Sequence, residues 1–478
     1  MFIKSVLIKN FRLFKEHFEL TQEHIAIPNK SDNGSGLNVL VGENGVGKSS
    51  LLDAIALPLI SYKSESIELN DFNEIDSSLE IIITSNEEFT VDKSMSGKFT
   101  AKGFRFLAYI RKQNSLKYPV GSIVSDTFFS PIDENSPKEG SPDLRVAVEN
   151  PFKGSRFNDN DYLFVDKNRT KIMEVGTFSA TRFDRLMDNL NFLYLRVNDK
   201  SPLQINETIN SIINNGEKPP IENRLLKEAF GEFKEATGYE VSLNFIDNLE
   251  PYKKAFIGFT DFGNKQIPIE KIGSGYQMLL ALMCHQKLSL QSGKELIVFI
   301  DEIELHLHPK IQKELVELLL TASKTAQIFI TTHSPELLKD LQTNKKCKIN
   351  VIVRNDQKIE INPLEQFVLP STTVSETNFV AFNLASMEYF IELYNYLGEK
   401  HNKSTCADID KLLGLEDIDL IEWKREDGTV QKLSKYSCMR NKFHHPSNIL
   451  NDTVVTITYK EILNAVIFLR KKLKDRWL

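Results

Sequence analysis

Leu37-Asn38-Val39-Leu40-Val41-Gly42-Glu43-Asn44-Gly45-Val46-Gly47-Lys48-Ser49 joins a short apolar run to a glycine-rich turn. The apolar run predicts a buried strand, and the glycines predict a turn behind it. From Ser49 to Ile60, Leu51, Leu52, Ile55 and Ala56 recur at helical spacing, so a helix follows. Gly42 to Ser49 fits G-x-x-x-x-G-K-[ST] at every fixed position. Glycines let backbone N–H groups close around a phosphate, and the helix N-terminus directs its dipole at the same charge. Asn44, Gly45, Gly47, Lys48, Ser49 and Ser50 are therefore candidate nucleotide-binding residues. Lys48 is placed to reach the β- and γ-phosphates, and the Ser49 hydroxyl to bind Mg²⁺.

Further along, Leu296-Ile297-Val298-Phe299-Ile300 is a second apolar strand, ending in Asp301-Glu302. An acidic residue at such a tip, beside the phosphate-binding strand, can hold the Mg²⁺ shell, so Asp301 is the second metal candidate. Glu302 is placed to polarise an attacking water. Ile328-Phe329-Ile330 is a third strand, and its polar tip Thr331-Thr332-His333-Ser334-Pro335 offers His333 to a γ-phosphate. Ile272-Gly273-Ser274-Gly275-Tyr276-Gln277 leads into a helix over Met278 to Leu288. Small residues at a helix N-terminus form another anion site, a weak signal by itself.

This order of motifs resembles the ABC-type ATPase heads of the RecF, OLD and SMC-like group. The Asn10-Phe11-Arg12 element after the first strand is similar to theirs, and so is Asp301-Glu302-Ile303-Glu304-Leu305-His306-Leu307-His308-Pro309. Two departures stand out: Ile303 occupies a usual proline position, and Gly273 a usual serine position. The resemblance implies ATP and Mg²⁺ as cofactors. It adds Arg12, Gly273, Ser274 and Gly275 to the nucleotide-binding candidates and Glu302 and His333 to the catalytic ones. Gln113, after the strand-like Phe104 to Ile110, is the candidate glutamine for nucleotide and Mg²⁺. The resemblance also implies a homodimer or higher oligomer, in which two heads sandwich two nucleotides.

The chain has 478 residues and a formal net charge of -6, which argues against coating nucleic acid by net charge. Hydrophobic residues make up 41% and charged residues 26%, the balance of a globular protein. The four cysteines (Cys284, Cys347, Cys406, Cys438) show neither a C-x-x-C pair nor zinc spacing, as expected of reduced thiols in a cytoplasmic protein. No window approaches the ~18 consecutive apolar residues of a membrane span. Lys4, Lys9 and Arg12 interrupt the apolar N-terminus, so it does not read as a signal peptide. Leu79 to Thr84 and Phe89 to Val91 suggest a hairpin across Ser85-Asn86. The Ser-, Pro- and Asn-rich stretch 121–175 reads as loops, and 181–237 as helical.

The expected fold class is α/β: an ABC-type P-loop NTPase head over 1–365 with an insertion and helical lid over 100–270. A small all-α domain over 366–478 is expected to follow. In the tail, Phe382, Ala385, Tyr389, Leu393 and Tyr396 suggest one helix over Asn378 to Lys400. Helices are also expected over Thr405 to Leu413, Leu433 to Phe443 and Tyr459 to Trp477. Arg440-Asn441-Lys442-Phe443-His444-His445 resembles the R-x(4–6)-H motif of HEPN ribonucleases, so Arg440 and His445 are a candidate RNase site. The last helix is basic near its end, which suits a helix C-terminus and leaves a nucleic-acid patch open. With its compact insertion and short tail, the chain resembles ATPase subunits of bacterial anti-phage systems of the PARIS, Septu and retron type. That implies an ATP-driven sensor and scaffold with a separate effector, a toxin or nuclease, and a phage-encoded trigger. The alternatives are an ATP-gated HEPN-type ribonuclease and a RecF-like DNA repair ATPase.

Overall fold

The computed structural model describes residues 1–60, 67–93, 97–112, 123–131, 160–165, 172–174, 221–244, 256–260, 266–268, 273–355, 358–364, 367–415, 420–424, 428–444 and 457–474. The chain folds as two units, Met1–Pro363 and Leu364–Leu478.

The first unit opens with β1 (Ile3–Lys9) and β2 (Phe18–Leu20). The expected strand β3 (Leu37–Val41) and helix α1 (Lys48–Ile60) follow. Then come β4 (Leu79–Lys93), β5 (Gly97–Ile110), β6 (Ile123–Pro131), β7 (Asn160–Val165) and β8 (Ile172–Glu174). Next are α2 (Ile221–Thr237), the short strands β9 (Glu240–Asn244), β10 (Phe256–Thr260) and β11 (Gln266–Pro268), and α3 (Ser274–Ser292). The unit closes with β12 (Glu295–Ile300), α4 (Pro309–Ala322), β13 (Ala326–Thr331), α5 (Pro335–Gln342), β14 (Lys348–Asn355) and β15 (Lys358–Pro363).

Seven strands form the central sheet in the order β15-β14-β3-β13-β12-β7-β8. Its middle is parallel: β3 lies between β14 and β13, and β12 between β13 and β7. Every residue of β3 and β13 is buried, which explains why these strands are dominated by apolar residues on both faces. A second, antiparallel sheet runs β2-β1-β4-β5-β6. Leu51, Leu52 and Ile55 of α1 share one core with Ile81, Ile83 and Phe104 of this sheet and Phe299 and Phe329 of the central one. The helix that opens at Lys48 is thus fixed by apolar packing against both sheets.

Gln327 of β13 ties the sheets together. Its Oε1 accepts from the Ile3 N–H at 2.7 Å, and its Nε2 donates to the carbonyls of Ile3 (2.7 Å) and Ala26 (2.9 Å). The residue is fully buried. Gln327→Leu strips partners from three backbone groups and is expected to cost about 3 kcal/mol of stability. Chemical denaturation of the two proteins measures it.

Several expectations are corrected. No hairpin turns at Ser85-Asn86. β4 runs through it with a register shift between Thr84 and Phe89. The Ser85 hydroxyl bonds the carbonyls of Glu87 and Lys102, and Asn86 Oδ1 accepts from the Phe2 N–H, so both polar residues serve a bulge. The described residues of 121–175 are the strands β6, β7 and β8, and the rest of the stretch read as loops lies outside the described residues. Asn160–Val165 pairs in parallel with β12, and Tyr162, Leu163 and Val165 are buried there. Of the helical reading over 181–237, α2 is described and 181–220 lies outside the described residues.

The second unit is not all-α. It holds α6 (Val374–Phe382), α7 (Met387–Lys400) and α8 (Cys406–Leu412). A hairpin of β16 (Leu420–Lys424) and β17 (Val430–Ser434) comes next. Helices α9 (Lys435–His444) and α10 (Tyr459–Lys474) follow. The expected helix over Asn378 to Lys400 is two helices, because Asn383 ends α6 with φ 53 and the Ser386 hydroxyl caps α7. The hairpin joins the core through Trp423 and Leu433, beside Tyr389, Phe390 and Tyr394 of α7. None of the four cysteines forms a disulfide, and no helix among the described residues is long and apolar enough to cross a membrane.

Candidate active site

Parallel strands deliver their C-terminal tips to one edge of the sheet, and in open α/β sheets this is where ligands sit. β3 ends in the Gly42–Ser49 turn, β12 in Asp301-Glu302, and β13 in Thr331-Thr332-His333. Gly42 has φ 144, and a Cβ there would lie 2.4 Å from the Ile352 carbonyl oxygen, so only glycine fits between turn and β14. The turn exposes Glu43, Asn44 and Gly45 at its crest and buries Val46, Gly47 and Lys48.

Lys48, the first residue of α1, bends back over the turn. Its Nζ donates to the carbonyls of Gly42 (2.9 Å) and Glu43 (2.7 Å). Burial pushes the ammonium down to about 8, against the opposing pull of Asp301, Glu302, Glu304 and Glu43. The Ser49 hydroxyl donates to Asp301 Oδ1 at 3.1 Å, joining the phosphate turn to the second acidic strand. Hydroxyl and carboxylate oxygens suit a hard divalent cation such as Mg²⁺. Ser50 is half-buried on the first turn of α1.

Thr331 holds the acidic strand end in place. Its hydroxyl donates to Asp301 Oδ1 (2.5 Å) and accepts from the Glu302 N–H (2.7 Å). Glu302 has φ 47, a left-handed conformation rare for a side-chain-bearing residue. The His333 ring lies below the ordinary histidine value, first through burial and then through Lys48. Its backbone N–H donates to Glu304 Oε1 at 2.6 Å. Lys48, Ser49, Asp301, Glu302 and His333 are thus brought to one place.

Arg12, with φ 46, sits beside α1. Its Nη1 donates to Asp53 Oδ2 (2.5 Å) and its Nε to Asp71 Oδ1 (2.8 Å). The guanidinium therefore pins the N-terminal turn to α1 through two carboxylates. Gly273 caps α3, which begins at Ser274. A Cβ on Gly275 would lie 2.7 Å from the His306 carbonyl oxygen, so this helix start is packed against the segment that follows Glu302. Gln113 and His445 lie outside the described residues. Arg440 belongs to the second unit, on α9, where its Nη1 donates to Asn441 Oδ1 at 3.1 Å. Sequence reasoning missed Thr331 and Glu304. The signal was present in the polar Thr331-Thr332 pair ending an apolar strand and in the second acid after Asp301-Glu302.

Residues 1–139 and 186–338 match the sequence model of the AAA ATPase domain. The Septu protein PtuA of Bacillus mycoides (strain KBAB4) is 25% identical over 378 residues, covering 75% of this chain and 41% of that protein. This chain therefore spans less than half the length of that relative. The retron Vc95 probable ATPase of Vibrio cholerae serotype O1 biovar El Tor is 24% identical over 369 residues, covering 65% of this chain and 68% of that protein. A solved Smc head bound to the C-winged helix domain of ScpA overlaps 76% of this chain and 98% of its own, with TM-score 0.46 and 17% identity.

Proposed function

Because this chain belongs to the AAA ATPase domain family, we infer that it binds Mg²⁺-ATP at the Gly42–Ser49 turn and hydrolyses it as the ATP-driven sensor and scaffold of an anti-phage system. The observation that carries the ATP site is the Ser49–Asp301 contact at 3.1 Å, which joins two separate strand tips around Lys48. Similarity to the Septu protein PtuA and to a retron ATPase supports the defence setting.

In this reading Ser49 and Asp301 would hold the Mg²⁺, which would supply positive charge against that of the triphosphate. The backbone N–H groups of the turn bind the same oxygens, and Lys48 exchanges its two carbonyl partners for phosphate. Glu302 takes the proton of the attacking water. His333 contacts the γ-phosphate and orients it. One turn neutralises only part of a triphosphate's charge. A second copy, presenting its Gly273–Gly275 helix start across the interface, adds donors where water is excluded. The second unit is assigned to holding a separate effector, a toxin or nuclease, in the cytoplasm.

Co-purification of the native chain with its neighbours, followed by assays of the isolated chain, tests this. The scaffold reading expects phosphate release from ATP and a stoichiometric effector, with the chain alone cutting neither DNA nor RNA. RNA cleavage lost in Arg440→Ala and His445→Ala moves the assignment to an ATP-gated ribonuclease. ATP-dependent DNA binding without a protein partner moves it to DNA repair.

A further inference from the structure

The tips of β12 and β13 are stitched together by side chains. Thr331 makes one half of the seam through its bonds to Asp301 Oδ1 and the Glu302 N–H. The Ile303 N–H adds a bond to the Thr331 carbonyl at 3.1 Å. Glu304 makes the other half. Its Oε2 accepts from the Thr332 hydroxyl at 2.7 Å, and its Oε1 accepts from the His333 N–H at 2.6 Å. Downstream, the Ser334 N–H donates to Thr332 Oγ1 (3.0 Å) and the Ser334 hydroxyl donates to Gln312 Oε1 (3.2 Å). Residues 332–334 have no regular secondary structure, so these bonds set the path of the chain through His333.

We propose that Glu304 is a positioning residue for ATP hydrolysis: bonded to the Thr332 hydroxyl and the His333 N–H, it holds His333 in fixed register with Glu302. Glu302 and His333 arise from different strands, 31 residues apart in sequence, and must meet one γ-phosphate and one water. Misplacement by about 1 Å is enough to slow such chemistry on the order of 100-fold. Both Glu304 oxygens are committed to protein donors, so the carboxylate acts through its neighbours and not on the nucleotide.

The two donors are neutral, which makes Glu304→Gln diagnostic. The amide introduced by that substitution can present its oxygen to the His333 N–H and donate its NH₂ to Thr332 Oγ1, because a hydroxyl both donates and accepts. The change therefore keeps the seam and removes the charge. A general base or metal ligand at this position does not survive it.

The experiment is steady-state ATP hydrolysis by the full chain, with fluorescent ATP-analogue binding measured alongside. Glu304→Gln is expected to stay within about threefold of wild-type kcat, and Glu304→Ala to lose roughly 10- to 100-fold in kcat with KM changed by less than about threefold. Equal losses in the Gln and Ala variants, or a loss confined to KM, overturn the assignment. Should Glu304→Ala fail to fold, Thr332→Val decides: it removes both bonds of the Thr332 hydroxyl, to Glu304 and from the Ser334 N–H, at nearly constant volume. Lowered kcat supports the assignment, and unchanged kcat overturns it. The assignment rests on hydrolysis by this chain. A wild-type protein that releases no phosphate overturns both, whereas wild-type turnover with an inactive Glu304→Gln overturns this one alone.

Discussion

Glu302→Gln is expected to bind ATP with nearly wild-type affinity and to turn it over roughly 100- to 1000-fold more slowly. The substitution is close to isosteric, and the backbone at 302 is already set. Its N–H is held by the Thr331 hydroxyl at 2.7 Å with φ at 47. What disappears is the carboxylate proposed to take a proton from water. Affinity for nucleotide should survive because, in the proposed site, Glu302 meets the attacking water and not the phosphates. If two heads sandwich ATP as proposed, stopping hydrolysis should let that state accumulate, and size-exclusion chromatography in ATP should show a larger species for Glu302→Gln than for wild type. Phosphate release near the wild-type rate would remove Glu302 from its role.

Lys48→Ala is expected to act at the earlier step and weaken ATP binding by on the order of 100-fold. Charge-assisted hydrogen bonds contribute about 1.5–3 kcal/mol each, and Lys48 has two donors already in use that phosphate can claim. Removing the ammonium also leaves Asp301, Glu302 and Glu304 unopposed near the incoming triphosphate. Folding should suffer little. Lys48 is 5% exposed, and burial opposes its charge, so alanine relieves a desolvation cost while losing two backbone contacts. Calorimetric titration with an ATP analogue, paired with a melting curve, separates the effects. Binding within threefold of wild type would contradict the phosphate role of Lys48.

The parts legible in the sequence are those whose chemistry is local. The glycines of 42–47 encode a turn that other residues cannot make, and β3, β12 and β13 are mostly apolar because both faces of the parallel sheet are covered. β7 escaped notice since its signal is three buried residues inside a polar stretch, and only pairing with β12 makes Asn160–Val165 a strand. The tail hairpin was missed for a similar reason. Trp423 and Leu433 look unremarkable until the helices of the second unit cover them. The candidate site divides the same way. Asp301 and Glu302 stood at a recognisable strand end. Thr331 and Glu304 matter through bonds between two strand tips, and no single segment carries that information.

Gln327 has a consequence for the birth of the protein. Two of the three backbone groups it binds belong to Ile3, 324 residues earlier. β1 leaves the ribosome before this partner and waits for it while about 324 further residues are made. At about 5–20 residues per second, that wait is on the order of half a minute. Until then β1 can pair only with nearer strands such as β2 and β4, so the antiparallel sheet is free to assemble early. The nucleotide turn, whose strand needs β13 and β14 on its two sides, matures near the end of the first unit's synthesis. A nascent chain halted before Ala326 should therefore carry the whole phosphate motif and yet hold no folded site for ATP.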